Sequence, residues 1–274
     1  MKKFAFLLVF ICGISLAFAQ QTQTAPTKPS IDKKTEQLLR KMSDLMAGAK
    51  NFTFRTKEVH DKIRPSGEKV KAQVTREVAV RRPDGIWMHL KTQAPDRSRE
   101  LTLWYDGKIL ILQSDKEKVY ARTKMPPTID EAIDYAGTTL NLPTPMADIL
   151  YSSPYQSFVT DDATGTYVKL DKVEGMSCHE LAFQNPIMDW KIWVADGKQP
   201  LLCQLEITYK MDYESPVIRM TFLDWNFAAQ IAADRFSHQP PTDYQKIKMV
   251  GRVPVADEET QPSENQTQTQ ENQQ

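Results

Sequence analysis

The chain has 274 residues and carries 35 basic and 35 acidic side chains, so its formal net charge is zero. This balance argues against nucleic acid or an anionic membrane surface as a bulk partner. A chain of this length is long enough for one sizeable domain with a hydrophobic core.

The first nineteen residues have the three parts of a cleavable signal peptide. Lys2-Lys3 form the positive region, residues 4–16 form the apolar region, and Ala17-Phe18-Ala19 has the small residues of a cleavage site. A membrane-spanning anchor needs roughly 20 apolar residues, which is longer than this run. Lipid attachment needs a cysteine at the cleavage point, whereas Cys12 lies within the apolar run. We therefore expect cleavage after Ala19, a periplasmic location and no transmembrane anchor in the mature chain.

Composition divides the rest of the chain into three parts. Residues 20–30 are rich in Gln, Thr and Pro and predict a loose linker. Residues 254–274 contain no aromatic and no basic side chain, which predicts a disordered polar tail. The segment 31–253 between them is the expected periplasmic domain.

Three helices are predicted in this domain. Residues 31–49 place apolar side chains at spacings of three and four, which is typical of an amphipathic helix. Thr128 followed by Glu131 is a capping box that predicts the start of a second helix. The apolar pattern around Leu150 indicates a further short helix.

The remaining segments alternate apolar and polar residues with a period of two, which predicts half-buried strands. Pro83-Asp84-Gly85 and Asp106-Gly107 predict turns between them, with Gly accepting a positive φ. Strands and helices do not alternate regularly, so we expect one antiparallel sheet. About eleven strands are expected, at 52–55, 74–80, 86–90, 101–105, 109–112, 119–122, 166–174, 178–183, 189–194, 201–210 and 218–222.

The apolar face of this sheet is the candidate ligand-binding surface, because a sheet with one apolar face must be covered. Two interpretations remain open: a packed core, and a cavity that holds a lipid tail. In the second case each methylene of the tail that is removed from water contributes about 0.8 kcal/mol. The candidate binding residues are Met88, Leu90, Leu101, Leu103, Tyr105, Leu181, Phe183, Trp190, Ile192, Val194, Leu205, Ile207, Tyr209, Ile218, Met220 and Phe222.

The sequence contains no motif that predicts catalysis or metal binding. Cys178 and His179 are neighbours, but adjacent residues of a strand point to opposite faces and cannot pair directly. Asp161-Asp162 lies in an expected loop, where two solvated carboxylates in a turn are expected rather than an acid–base pair. We expect no enzyme activity, no catalytic residue, no metal and no cofactor.

Two cysteines follow the cleavage site, and an even pair in an oxidising compartment favours a disulfide. Cys178 and Cys203 are expected on strands separated by one strand. Two strand spacings make about 9.5 Å, which exceeds the Cα separation of about 7 Å that a disulfide tolerates. The geometry therefore argues slightly against the bond.

An ordered set of short motifs resembles a bacterial family of predicted periplasmic proteins, domain of unknown function 2092. The resemblance covers roughly residues 31–236. The motifs are Tyr105-Asp106-Gly107-Lys108, Val119-Tyr120-Ala121, Thr128-Ile129-Asp130-Glu131-Ala132, Met146-Ala147-Asp148-Ile149-Leu150, Gly175 with Cys178-His179 and Leu181, Asp189-Trp190 with Ile192-Trp193, and Pro200 ahead of a strand.

The resemblance implies a fold similar to that of the lipoprotein carriers LolA and LolB and of the mycobacterial lipoprotein LppX. This fold is mainly β (α+β), an unclosed β-barrel whose strongly curved antiparallel sheet has helices over its concave face. It implies a non-enzymatic carrier or binding protein for a lipid-like or other hydrophobic ligand. The alternative is an envelope protein-interaction or sensing module with a packed core. No residue is identified as the arginine that links lid and barrel in LolA, so a lipoprotein-carrier role is not implied.

Overall fold

The computed structural model describes residues 30–249, except 64–68, 95–96, 143, 145 and 212–214. The predicted signal peptide and polar tail, and the predicted linker up to residue 29, lie outside these residues.

The described residues form four α-helices, one 3₁₀ helix and twelve β-strands. The helices are α1 (Lys33–Gly48), α2 (Ile129–Thr138), α3 (Ala147–Leu150) and α4 (Pro154–Phe158), and the 3₁₀ helix is Ala233–Phe236. The strands are β1 (Asn51–Ile63), β2 (Lys69–Arg81), β3 (Gly85–Ala94), β4 (Arg97–Tyr105), β5 (Ile109–Ser114), β6 (Val119–Lys124), β7 (Thr164–Val173), β8 (Met176–Gln184), β9 (Met188–Ala195), β10 (Leu202–Tyr209), β11 (Val217–Asn226) and β12 (Gln245–Lys246).

All twelve strands belong to one sheet, in the order β12-β6-β5-β4-β3-β2-β1-β11-β10-β9-β8-β7. Every pairing is antiparallel except that of β12 with β6. The sheet is unclosed, with β12 and β7 at its edges. This confirms the predicted fold class and the eleven predicted strands. The two-residue β12 is additional.

One face of the sheet packs against the helices, and we call it the inner face. Leu39, Met42 and Met46 of α1 are fully buried in the same core as the inner-face residues of the sheet. Asp32 caps α1 by accepting a hydrogen bond from the backbone N–H of Thr35 at 2.9 Å. It also accepts one from the backbone N–H of Tyr167 at 2.6 Å, which ties the helix to β7.

The predicted capping box of α2 is confirmed. The Thr128 side chain accepts from the backbone N–H of Glu131, and its hydroxyl donates to the Glu131 carboxylate at 2.8 Å. The backbone N–H of Ile129 donates to the carbonyl of Pro83 at 2.7 Å. This places α2 beside the β2–β3 turn, at the end of the sheet that we call the helix end.

The two predicted turns are present, but their glycines act differently. Gly107 has a φ of 83°, as the turn between β4 and β5 requires. Gly85 does not adopt a positive φ. A Cβ atom there would lie 3.0 Å from the ring of Phe236, so glycine is needed for close packing instead.

The segment after β11 crosses the outer face of the sheet. The guanidinium of Arg235 stacks over Trp87 at 3.5 Å from the ring centroid, and His238 stacks on Trp104 with centroids 4.0 Å apart. Phe236 between them is buried. β12 then pairs with β6 and partly covers that edge.

The expectation against a disulfide is wrong, because Cys178 and Cys203 are bonded. Their Cα atoms are 6.9 Å apart, whereas flat, regular strands predicted about 9.5 Å. The register of β10 is irregular between Leu202 and Gln204, so Cys203 lies in a β-bulge. A bulge bends its strand, which accounts for the short separation across β9.

Replacing both cysteines by alanine should lower the free energy of unfolding by about 3 kcal/mol, because the bond closes a loop across 25 positions. Urea unfolding of the oxidised protein and of the double variant measures the difference. Alkylation under denaturing conditions is the control. Labelling of Cys178 and Cys203 before any reductant is added would contradict the bond.

Candidate functional site

The strand register places all sixteen candidate binding residues on the inner face. Residues that pair directly across neighbouring strands share a face, and two such pairs and two longer chains of pairs connect most of the set. These are Met88–Leu103 and Leu90–Leu101 on one side of the sheet, Leu181–Ile192–Leu205–Met220 on the other, and Phe183–Trp190–Ile207–Ile218 beside it.

Nine of the sixteen are buried in the main hydrophobic core. There they pack with the helices, which is what the packed-core interpretation predicts for them. They are Tyr105, Leu181, Phe183, Trp190, Ile192, Val194, Leu205, Met220 and Phe222.

The other seven remain partly exposed, and we call them the apolar patch. On β3 and β11, burial decreases with distance from the helix end, from Ile86 to Leu90 and from Phe222 to Ile218, whereas the inner-face residues of β2 stay buried along the whole strand. On β3 and β11 the inner face is therefore covered less completely away from the helix end. The patch consists of Met88, Leu90, Leu101, Leu103, Ile207, Tyr209 and Ile218.

A buried ion pair lies on the inner face between these two regions, and sequence analysis missed it. Arg76 of β2 contacts Glu58 of β1 at 2.6 Å, with side-chain exposures of 4% and 6%. The sequence does contain a signal for this buried charge. Arg76 shares its face with Val74 and Val78, so a charge stands where the alternation calls for an apolar residue.

Besides the two atoms that form this ion-pair contact, three buried donors on the inner face have no hydrogen-bond partner among the residues that the structure describes. They are Nε of Arg76, the hydroxyl of Thr56 and the indole N–H of Trp190. Buried polar groups in proteins are usually satisfied. The inner face thus combines a largely apolar surface with a few unsatisfied donors, a composition typical of ligand sites.

Arg82 connects the sheet to the helices. Its guanidinium donates to the carbonyl of Leu150 at 2.6 Å and to that of Ile149 at 3.4 Å, which are the last carbonyls of α3. Desolvation lowers the pKa of Arg82. Sequence analysis identified no arginine linking helices and sheet, because an arginine beside a turn has no distinctive pattern.

The polar residues that the sequence analysis considered lie in a disulfide, beside a carboxylate and in an exposed turn. His179 contacts Asp196 at 3.2 Å and the hydroxyl of Tyr167 at 3.4 Å, while the neighbouring thiol of Cys178 is held in the disulfide. Asp161 and its neighbour occupy an exposed turn, as expected. Among the described residues, no cluster of three or more His, Cys, Asp or Glu side chains is arranged to hold a metal ion.

A membrane-spanning helix is likewise not found in the described part of the chain, since none of its helices is both long and apolar enough.

Comparison with known proteins identifies a family. The family model DUF2092, described as a predicted periplasmic protein, matches residues 35–250. No functionally curated protein shows a significant sequence match.

Several solved structures are similar over most of the chain, although at low identity. Lipoprotein LppX of Mycobacterium tuberculosis is 11% identical, with a TM-score of 0.45, covering 73% of this chain and 100% of its own. LprF from Mycobacterium bovis is 13% identical, with a TM-score of 0.42 and coverages of 78% and 99%. A putative outer membrane lipoprotein-sorting protein domain from Vibrio parahaemolyticus is 9% identical, with a TM-score of 0.32 and coverages of 74% and 97%.

Replacing Arg82 by methionine should loosen α3, because charged hydrogen bonds to its last carbonyls are lost. We expect the free energy of unfolding to fall by about 2 kcal/mol and amide exchange in residues 147–151 to accelerate. Hydrogen exchange with mass spectrometry measures the second effect. The adjacent Arg81 pairs with Asp84 instead, so Arg81→Met is the matched control. Equal exchange in this segment for both variants would contradict the role of Arg82.

Asp148 on α3 makes the stability of the protein depend on pH. Burial raises the pKa of its carboxyl from 3.8 to about 6. The folded state therefore holds this proton more tightly than the unfolded state, and the stabilisation is complete below about pH 4 and lost as the pH rises to about 6. Two pKa units correspond to about 3 kcal/mol.

Asp148→Asn should therefore gain stability relative to the wild type between about pH 4 and about pH 7, by on the order of 3 kcal/mol. Urea unfolding at several pH values measures the difference. Asp44→Asn changes an exposed carboxylate on α1 and serves as the control. A constant difference between Asp148→Asn and the wild type across this range would refute the burial of a protonated Asp148.

Proposed function

Because the chain belongs to the DUF2092 family of predicted periplasmic proteins, we propose that it is a non-enzymatic carrier or binding protein for a lipid-like or other hydrophobic ligand. The ligand is held between the inner face of the sheet and the helices, and its apolar chain extends along the apolar patch that the helices leave partly exposed. The periplasmic location expected from the sequence is confirmed by the family. The observation that carries the proposal is the apolar patch.

The apolar patch supports a ligand with a long apolar chain. Seven apolar side chains remain partly exposed on the face that elsewhere forms the core. A chain with about ten methylenes gains on the order of 8 kcal/mol when it leaves water. Association itself costs about 4–15 kcal/mol, so a ligand with only a few methylenes would gain too little from this surface.

Two features support a role without catalysis. The sulfur of Cys178 is bonded in a disulfide and is not a free thiol. His179 lies beside Asp196 near the end of β9 rather than in the apolar patch. The polar groups of the inner face that lie beside the patch include the Arg76–Glu58 ion pair, the Thr56 hydroxyl and the indole N–H of Trp190. These groups can orient a bound molecule by hydrogen bonds.

A protein partner is the alternative, and the edge strand β7 favours it. Val168 and Leu170 on this strand are 45% and 51% exposed, and Met176 beside it is 48% exposed. Exposed apolar residues on an edge strand can pair with another chain. Capture of a stoichiometric envelope protein, together with an empty inner face, would favour this alternative over ligand carriage.

Protein purified from the periplasm should carry an acyl species. Native mass spectrometry detects the bound mass, and lipid extraction of the same sample identifies its class. Ile218→Glu should abolish binding, because it introduces a charge into the apolar patch.

Val217→Glu is the matched control, since Val217 lies next to Ile218 on the opposite face of β11. It should retain the ligand. If the wild type carries no extractable lipid and also binds no apolar dye, the proposed function is overturned.

A further inference from the structure

We propose that Arg76, with its partner Glu58, recognises an uncharged acyl ester, and that the ester carbonyl accepts a hydrogen bond from Nε of Arg76. The inference rests on the proposed function and names the ligand class for the same inner face. It assigns the polar part of the ligand to β1 and β2 and the acyl chain to the apolar patch.

The position of Arg76 follows from the strand register. Arg76 lies directly opposite Leu90 of β3 on one side and Thr56 of β1 on the other. Leu90 pairs in turn with Leu101, and both belong to the apolar patch. An acyl chain lying along these leucines therefore brings its carbonyl end within reach of the guanidinium.

Unsatisfied donors give this location a chemical preference. Nε of Arg76 and the Thr56 hydroxyl are buried without a hydrogen-bond partner among the described residues. Both can donate to an oxygen, and a guanidinium has no acceptor. The missing partner is therefore a hydrogen-bond acceptor, which an ester carbonyl provides and an alkane lacks.

The charge of the pair selects an uncharged acceptor. Glu58 contacts Arg76 at 2.6 Å and places a carboxylate beside its guanidinium. A carboxylate or phosphate bound to Arg76 would place a second anion beside Glu58 in a poorly solvated site, which is unfavourable. An ester carbonyl accepts the same hydrogen bond without adding charge. This distinguishes acyl esters from free fatty acids.

The test compares three probes of similar length, namely methyl palmitate, palmitate and heptadecane. Each displaces an apolar fluorescent dye from delipidated wild-type protein and from the double variant Arg76→Met with Glu58→Leu. Replacing both partners by apolar residues avoids an unpaired buried charge and preserves folding best. The wild type should prefer the ester by about tenfold over both other probes, as one good hydrogen bond provides.

The double variant should lose this preference and keep the wild-type affinity for heptadecane. The matched control removes a second Arg–Glu pair, Arg219 with Glu206, which joins β11 to β10 on the outer face. Arg219→Met with Glu206→Leu should retain the tenfold preference for the ester. If the double variant does not fold, a measurement on the wild-type protein tests the same hydrogen bond. The infrared carbonyl stretch of bound, isotope-labelled methyl palmitate should lie at lower wavenumber than in hexane.

The outcomes separate the two proposals. If no probe displaces the dye from the wild type, the proposed function fails and this inference fails with it. If the probes bind but the double variant keeps the ester preference, or palmitate binds better than the ester, only the inference fails. An unshifted carbonyl stretch also overturns the inference but leaves the proposed function standing.

Discussion

The structure depends on one constraint, which is that a sheet with an apolar face must keep that face from water. Alternation places the apolar residues of the long strands on the inner face, so their burial is a property of the whole sheet. Leu39, Met42 and their neighbours on α1 meet this requirement near the helix end. At the other end, Leu90, Leu101 and Ile218 remain partly exposed. The proposed ligand completes the cover there.

Polar contacts add to the buried apolar side chains that hold the helical cover on the sheet. Asp32 joins the start of α1 to the backbone of β7, and Arg82 joins the β2–β3 turn to the end of α3. Hydrogen bonds of this kind contribute about 1 to 3 kcal/mol each. Local opening of a small element therefore costs less than global unfolding.

Much of the fold could be predicted because period-two alternation reports one-sided burial directly. β10 and β11 stand out for this reason, whereas the two-residue β12 is too short to have a period. The Cys178–Cys203 bond was missed because flat strands in regular register were assumed, and a bulge is not visible in composition. Arg76 was overlooked although it is a charged residue at a position where the alternation along β2 predicts an apolar one. No pattern distinguishes a packed inner face from a partly open one, since both need the same residues on the same side.

The most direct test of the account is a crystal structure of the protein purified from the periplasm without delipidation. The account predicts elongated electron density along Leu90, Leu101 and Ile218, with its polar end at Arg76. An inner face in which side chains of the protein itself fill this space, and in which Arg76 is satisfied by protein atoms alone, would contradict it.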